Sequence, residues 1–189
     1  MAMPFAAERV WTADDVRGLP EDSRNRYECV DGVLLVSPSP MRSHQRLAFL
    51  IASALERYVS APRVAAAFSA PSDVELDTRS LVQPDVYVLP LVDGHVPRDD
   101  DPELTPLLVV EVLSKSTERH DRLVKRPRYQ RAGIECWLVD PKARRFERWI
   151  PSDRHPQILV DAITRRAVGA PEDFELDVAE LFFDVLGPG

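Results

Sequence analysis

Asp85 and Glu111 are the residues whose type and setting first call for chemistry. Asp85 follows Pro84 inside the apolar run 81–89, and Glu111 stands in the run 107–113, Leu-Leu-Val-Val-Glu-Val-Leu. A lone carboxylate in an apolar strand is costly unless it is paired or binds a metal. Two acids on adjacent strands can converge on one point, and a pair of oxygen ligands there suits magnesium, which keeps several waters. Without a metal the two would repel, and one would take up a proton. From these two residues alone a second reading stays open: a buried acid paired with one of the many arginines.

The charge pattern frames both readings. The chain has 189 residues and a net charge of −7, which argues against generic coating of nucleic acid. Over 115–148 eleven basic residues face five acids, whereas over 73–111 ten acids face two arginines. Such halves can set a carboxylate site beside a phosphate-binding wall, or they can be ordinary ion pairing between neighbouring surfaces. Only three of the 24 basic residues are lysines, Lys115, Lys125 and Lys142. A lysine can transfer a proton when its pKa is lowered, whereas an arginine cannot easily serve.

The elements that must position these residues follow from periodicity. Thr12 before Asp14 and Asp15 reads as the cap of a short helix over 13–19 that Pro20 ends. Strands over 26–30 and 33–37 flank Asp31-Gly32, a two-residue hairpin signal. Leu47, Leu50, Ile51, Ala54, Leu55 and Tyr58 recur at spacings of three and four, which predicts a helix over 41–59. Short strands are expected over 63–68 and 73–76, and a longer one over 81–89 with Pro84 in its course, a mark of an edge or irregularity. The segment 90–105, with Gly94, Pro97, Pro102 and three consecutive aspartates, reads as an exposed loop. The run 107–113 suits a central strand covered on both sides. A helix over 117–132 stopped by Gly133, a second hairpin over 134–139 and 145–150, a strand over 157–163 and a closing helix over 177–183 complete the chain. The expected fold is therefore α/β or α+β in a single domain over 1–189.

Several classes are excluded. No run of 18 apolar residues is present, so no membrane span is expected. Met1-Ala-Met-Pro lacks a basic start and apolar core, so no secretory signal is expected. Two cysteines, Cys29 and Cys136, are too few for a disulfide scaffold, and the histidines make no zinc-ligand spacing with them, which points to a cytoplasmic setting. There is no phosphate-binding glycine loop.

The ordered set Tyr27-Glu28-Cys29-Val30-Asp31-Gly32, His44, Gln83-Pro84-Asp85-Val86, Val110-Glu111-Val112-Leu113-Ser114, Thr117, Asp121, Lys125, Tyr129, Gly133 and Trp137-Leu138-Val139-Asp140-Pro141 resembles the Uma-two-type family of putative restriction endonucleases, within the PD-(D/E)xK nuclease superfamily. The resemblance covers about 27–149. It implies a restriction-endonuclease-like mixed central sheet flanked by helices, with N-terminal and C-terminal β-hairpins. It also implies an endonuclease that hydrolyses phosphodiester bonds of DNA, with magnesium, or manganese in its place, activating water.

Carried over, Asp85 and Glu111 would be metal ligands, helped by the Val112 carbonyl, and a lysine would orient the water and offset transition-state charge. The literal Glu-x-Lys position is Leu113, so the lysine must come from elsewhere. Lys125, where the family has a lysine on the following helix, is the expected catalytic residue, and Lys115 is the alternative. Pro127 departs from the pattern and is expected to bend that helix, with the potential to turn Lys125 away. Glu28 is a further ligand or a cross-strand ion-pair partner, and His44 a contact to phosphate or to the metal shell. Asp121 could pair with Lys125 at the i, i+4 spacing. Tyr129, Trp137 and Trp149 read as packing rather than base-stacking residues. Expected partners are double-stranded DNA and a second copy in a homodimer, with no membrane. The rival function is a restriction-endonuclease-like binding or assembly module that has lost its nuclease activity.

Overall fold

In the computed structural model, residues 9–20, 22 and 24–189 are described. The expectation drawn from Met1-Ala-Met-Pro lies outside them. Thr12 caps α1 (Ala13–Arg17) in a capping box with Asp15, as its sequence predicts. β1 (Asn25–Val30) and β2 (Val33–Pro38) pair as an antiparallel hairpin. Both turn residues have positive φ, Asp31 at 52° and Gly32 at 84°, the tight-turn geometry that favours Asp-Gly. A Cβ on Gly32 would also meet Val10 at 2.7 Å. The hairpin joins β5 (Ser80–Val82) and β4 (Val74–Asp77) in a four-stranded sheet of order β2-β1-β5-β4.

The main sheet has six strands in the order β10-β9-β8-β7-β6-β3. They are β3 (Ala65–Ser69), β6 (Val86–Pro90), β7 (Leu108–Val112), β8 (Glu135–Asp140), β9 (Arg145–Trp149) and β10 (Gln157–Leu159). β7 and β8 run parallel and all other neighbours antiparallel, so the sheet is mixed. The parallel pair needs a crossover, which the helical segment after β7 supplies.

Each face of this sheet is covered. α2 (Arg42–Ser60) lays Leu47, Ile51, Leu55 and Val59 on one face, where Val110, Val112, Trp137 and Phe146 meet them. α5 (Val178–Leu186), capped by Asp177, adds Val178, Leu181 and Phe182 beside the hairpin of β11 (Ala162–Arg165) and β12 (Phe174–Asp177). The opposite face carries Val109, Leu113, Cys136 and Leu138, packed against Val30 and Leu35 of the smaller sheet and against Tyr129. Each such fully buried aliphatic side chain contributes about 1.5–3 kcal/mol. The α+β architecture expected from the sequence, a mixed central sheet flanked by helices, is thus observed.

Two expected strands are each divided. The run 81–89 is split, with β5 in one sheet, β6 in the other and Gln83-Pro84-Asp85 crossing between them. Proline has no N–H to continue a ladder, so the chain changes sheets there. The run 157–163 is likewise shared between β10 and β11, which belong to different sheets.

Candidate active site

The crossover at Pro84 places Asp85 where β6 leaves β7. The ladder ends at Val86 opposite Val110, and the Asp85 carboxylate takes the next need: Val112 N–H donates to Oδ2 at 2.8 Å. Glu111 alternates with Val110 and Val112, so it points to the face shared by Val109 and Leu113. On β1, Arg26 and Glu28 lie two residues apart and reach the same space.

The segment after β7 brings the lysine. It comprises α3 (Glu118–His120), a π-helical turn (Asp121–Lys125) and α4 (Arg126–Arg131). Pro127 sits in the first turn of α4, and the wider turn before it adjusts the ladder: Arg126 N–H bonds to Asp121 O, and the Arg126 guanidinium covers the Arg122 carbonyl at 3.2 Å. Asp121, Lys125 and Tyr129 emerge on one buried face. The expected bend is met by this turn, and Lys125 points at the acids.

Lys125 Nζ lies 2.7 Å from Glu111 Oε1, 2.8 Å from Glu28 Oε1 and 3.8 Å from Asp121 Oδ1. Tyr129 Oη donates to the same Glu111 oxygen at 2.6 Å, and Gln83 N–H donates to Glu28 at 2.8 Å. Asp85 faces His44 Nε2 at 3.1 Å and Arg26 at 3.3 Å. Arg26 also donates to the Gln83 carbonyl at 2.9 Å. Lys115 is exposed at the rim of the cavity that these side chains line, whose volume is about 470 Å³. The structure therefore brings Glu28, Asp85, Glu111 and Lys125 together with His44 at the side, and leaves Lys115 outside.

Burial dominates the electrostatics. It pushes the Glu111 carboxyl up to about 8, with Asp121, Asp85 and Glu28 adding to the rise and Lys125 opposing it. Asp121 is raised to about 6 for the same first reason. Burial alone would lower Lys125, but Glu111, Glu28 and Asp121 hold its ammonium above the ordinary value. Burial alone would raise Asp85, but His44, Arg26 and Lys125 outweigh it and hold this carboxyl below its usual range. Four acids thus share one lysine, one arginine and one histidine, and the raised Glu111 and Asp121 carboxyls answer the excess by holding protons more tightly.

Hard oxygen donors of this kind fit a divalent cation in type. As the side chains stand, no three His, Cys, Asp or Glu residues among the described ones converge as a metal-holding group. Lys125 and Tyr129 both engage the same oxygen of Glu111.

Sequence reasoning missed two members. Arg26 is the guanidinium partner of Asp85, detectable only as the residue two before Glu28 on the same strand face. Tyr129 was assigned to packing, yet it donates to Glu111; its spacing of four from Lys125 was the available signal. The basic stretch 115–148 is largely spent inside the protein. Arg122, Arg128, Arg131, Arg145 and Arg148 all form ion pairs with acids, the ordinary pairing between neighbouring surfaces that the charge pattern had left open.

A mixed central sheet covered by helices, with this acidic cavity beside it, is the restriction-endonuclease-like fold expected from the sequence. Residues 13–179 match the model of the Uma2 family, described as a putative restriction endonuclease, and the chain belongs to that family. No curated protein matches the sequence. A solved structure, a putative nuclease belonging to DUF820 from Anabaena variabilis, superposes with a TM-score of 0.73. It covers 93% of this chain and 99% of its own at 22% identity, a likeness of fold. No helix among the described residues is long and apolar enough to cross a membrane.

Proposed function

We propose that the protein is a divalent-metal-dependent endonuclease that hydrolyses phosphodiester bonds of double-stranded DNA. The observation that carries this reading is the meeting of Asp85, Glu111 and Lys125 in one acidic cavity, in a chain of a restriction-endonuclease family. Asp85, Glu111 and the Val112 carbonyl would hold magnesium, or manganese in its place. When bound, such an ion polarises the phosphate and lowers the pKa of a coordinated water. The chain's own residues do the rest. The Val112 amide and Arg26 orient Asp85, and Tyr129 orients Glu111. The Lys125 ammonium supplies positive charge where the phosphoryl oxygens become more negative. Glu28 holds that ammonium from the other side.

The phosphate backbone needs cations that are not already spent. Arg42, Arg46, Lys115 and Arg119 are exposed, and none forms an ion pair with another described residue. They are the proposed backbone contacts. A homodimer would present one site to each strand. Two buried free cysteines suit a reducing, cytoplasmic setting.

The test is cleavage of plasmid DNA with magnesium and with manganese. Nicked and linear products are expected from the native chain and none from Asp85→Asn or Glu111→Gln. Absence of cleavage with either metal would overturn the reading. One observation favours the second reading, a non-catalytic binding module: Glu111 is held by Lys125 and Tyr129, and Asp85 by Arg26, His44 and Val112. Calorimetric titration with manganese separates the two, since a decayed site would give no heat that depends on Glu111.

A further inference from the structure

Arg26, His44 and Asp85 form a wall with a cavity on each side. One is the acidic site; the other, about 870 Å³, lies between α2, β1 and the Gln83 crossover. Ser39 and Pro40 border both, so the two spaces adjoin at that wall. The second space is of a size that takes a small organic ligand.

Its lining has a definite chemistry. α2 uses Leu47, Ile51 and Leu55 for the core, and presents a second stripe, Ala48, Phe49 and Ala52, to the cavity. The alanines keep the space open, and Phe49, 59% exposed, stands at its border. Tyr27 lies on the opposite wall. Gln45, Asn25 and Gln83 add amide groups, of which the Gln45 side chain has no hydrogen-bond partner among the described residues. On the far side the rim is acidic. Arg17 there is spent on Glu75 at 2.7 Å with Asp73 and Glu103 nearby, and Asp22 accepts from Asn25 at 2.6 Å. A phosphate is repelled from that rim, whereas a neutral flat ring with polar edges is not.

We propose that this cavity receives the base of an unpaired nucleotide next to the bond to be cut. The inference rests on the nuclease reading and deepens it: the substrate is DNA with a nucleotide out of its stack at the cleavage point. The phosphate would stand at the Arg26–His44–Asp85 wall, the backbone would follow the exposed cations Arg42, Arg46 and Lys115, and the base would turn to the apolar stripe of α2. A base still paired within a duplex cannot enter a recess behind the site, so it must leave the helix. A nucleotide that is already unpaired avoids most of that cost.

The test uses Glu111→Gln, which cannot cut, with fluorescently labelled DNA and magnesium, read by anisotropy. Two duplexes are compared, one fully paired and one with a single unpaired nucleotide. The second is expected to bind about tenfold more tightly. Ala52→Trp, which fills the cavity, and Phe49→Ala, which removes the exposed ring, are each introduced into that background. Each is expected to abolish the preference, with a loss of about five- to tenfold for the unpaired-nucleotide duplex and little change for the paired one. Phe49 is exposed, so its variant does not open the core if Ala52→Trp fails to fold. Equal affinity for the two duplexes, or a preference that survives Phe49→Ala, overturns the inference and leaves the nuclease reading standing. No binding of either DNA, together with no cleavage by the native chain, overturns both.

Discussion

Glu111 and Glu147 stand in one row across the sheet, on β7 and β9, each paired in register with Leu138 of the strand between them. Both are buried, and both receive a cation from the same π-helical turn. Their partners differ. Glu147 is held by the guanidinium groups of Arg122 and Arg145, and Arg122 also bonds Asp140 and Glu118, so acid and base nearly balance. Glu111 shares one ammonium with Glu28 and Asp121 and leans on a neutral tyrosine. A planar guanidinium matches carboxylates with several fixed donors, whereas a lysine is a point charge. The first cluster is built to be closed. The second holds three carboxyl groups against one ammonium, and the mismatch shows as the raised Glu111 and Asp121 carboxyls.

The comparison breaks most readily by removing each acid in turn. Glu111→Gln should lower plasmid cleavage by at least about a hundredfold, while costing less than about 1 kcal/mol in urea unfolding, since Gln still accepts from Tyr129. Glu147→Gln should do the reverse: cleavage within a few-fold of native, and stability lower by about 2–4 kcal/mol because two arginines lose the buried carboxylate they share. If both variants behaved alike, the contrast between the clusters would be wrong.

Lys125→Met comes next. It leaves Glu28, Glu111 and Asp121 without their shared cation and should cost about 3–5 kcal/mol near pH 8. The loss should shrink toward pH 5, where Glu111 and Asp121 take up protons.

A smaller effect is the native pH slope. Glu111 titrates at about 8 in the folded chain against its ordinary 4.5, so its favourable contribution is complete below 4.5 and is lost as pH rises through about 8. Asp121 behaves likewise between 3.8 and about 6. Thermal unfolding from pH 5 to 9 should show a declining melting temperature in that window, and Glu111→Gln should flatten its upper part. Manganese should restore stability at pH 8 in the native chain and not in Glu111→Gln.

The smallest effects test the supports. Tyr129→Phe removes one buried hydrogen bond and should cost about 1–2 kcal/mol, with a modest fall in cleavage. Lys115→Ala should leave stability unchanged and reduce the salt dependence of DNA binding by about one unit of slope. A loss of all cleavage in Lys115→Ala would transfer the lysine role to it.

Particular residues mark how far the sequence could be read. The stripe Leu47, Ile51 and Leu55, the Asp31-Gly32 turn and the apolar run around Glu111 announced α2, the first hairpin and the central strand, because periodicity and turn chemistry are local properties. The pairing of Asp121 with Lys125 was legible for the same reason. Pro84 was legible as an interruption but not as a passage between two sheets, since strand partners are set by packing far along the chain. Pro127 foretold a distorted helix, yet its direction depended on the π-helical turn before it and on the Arg126 side chain covering Arg122.

Sequence alone determined the mixed α/β class, the acidic pair Asp85 and Glu111, and the helix from which Lys125 comes. Tertiary structure alone decided that Arg26, 57 residues from Gln83 along the chain, bonds to that crossover and shares the cavity. It also decided that the arginines of 115–148 are mostly consumed within the fold, and that Tyr129 donates to Glu111. The physical reason is one of range. Backbone preference and hydrophobic period act over a few residues, whereas the match between a buried charge and its partner is settled only when distant strands and helices close around both.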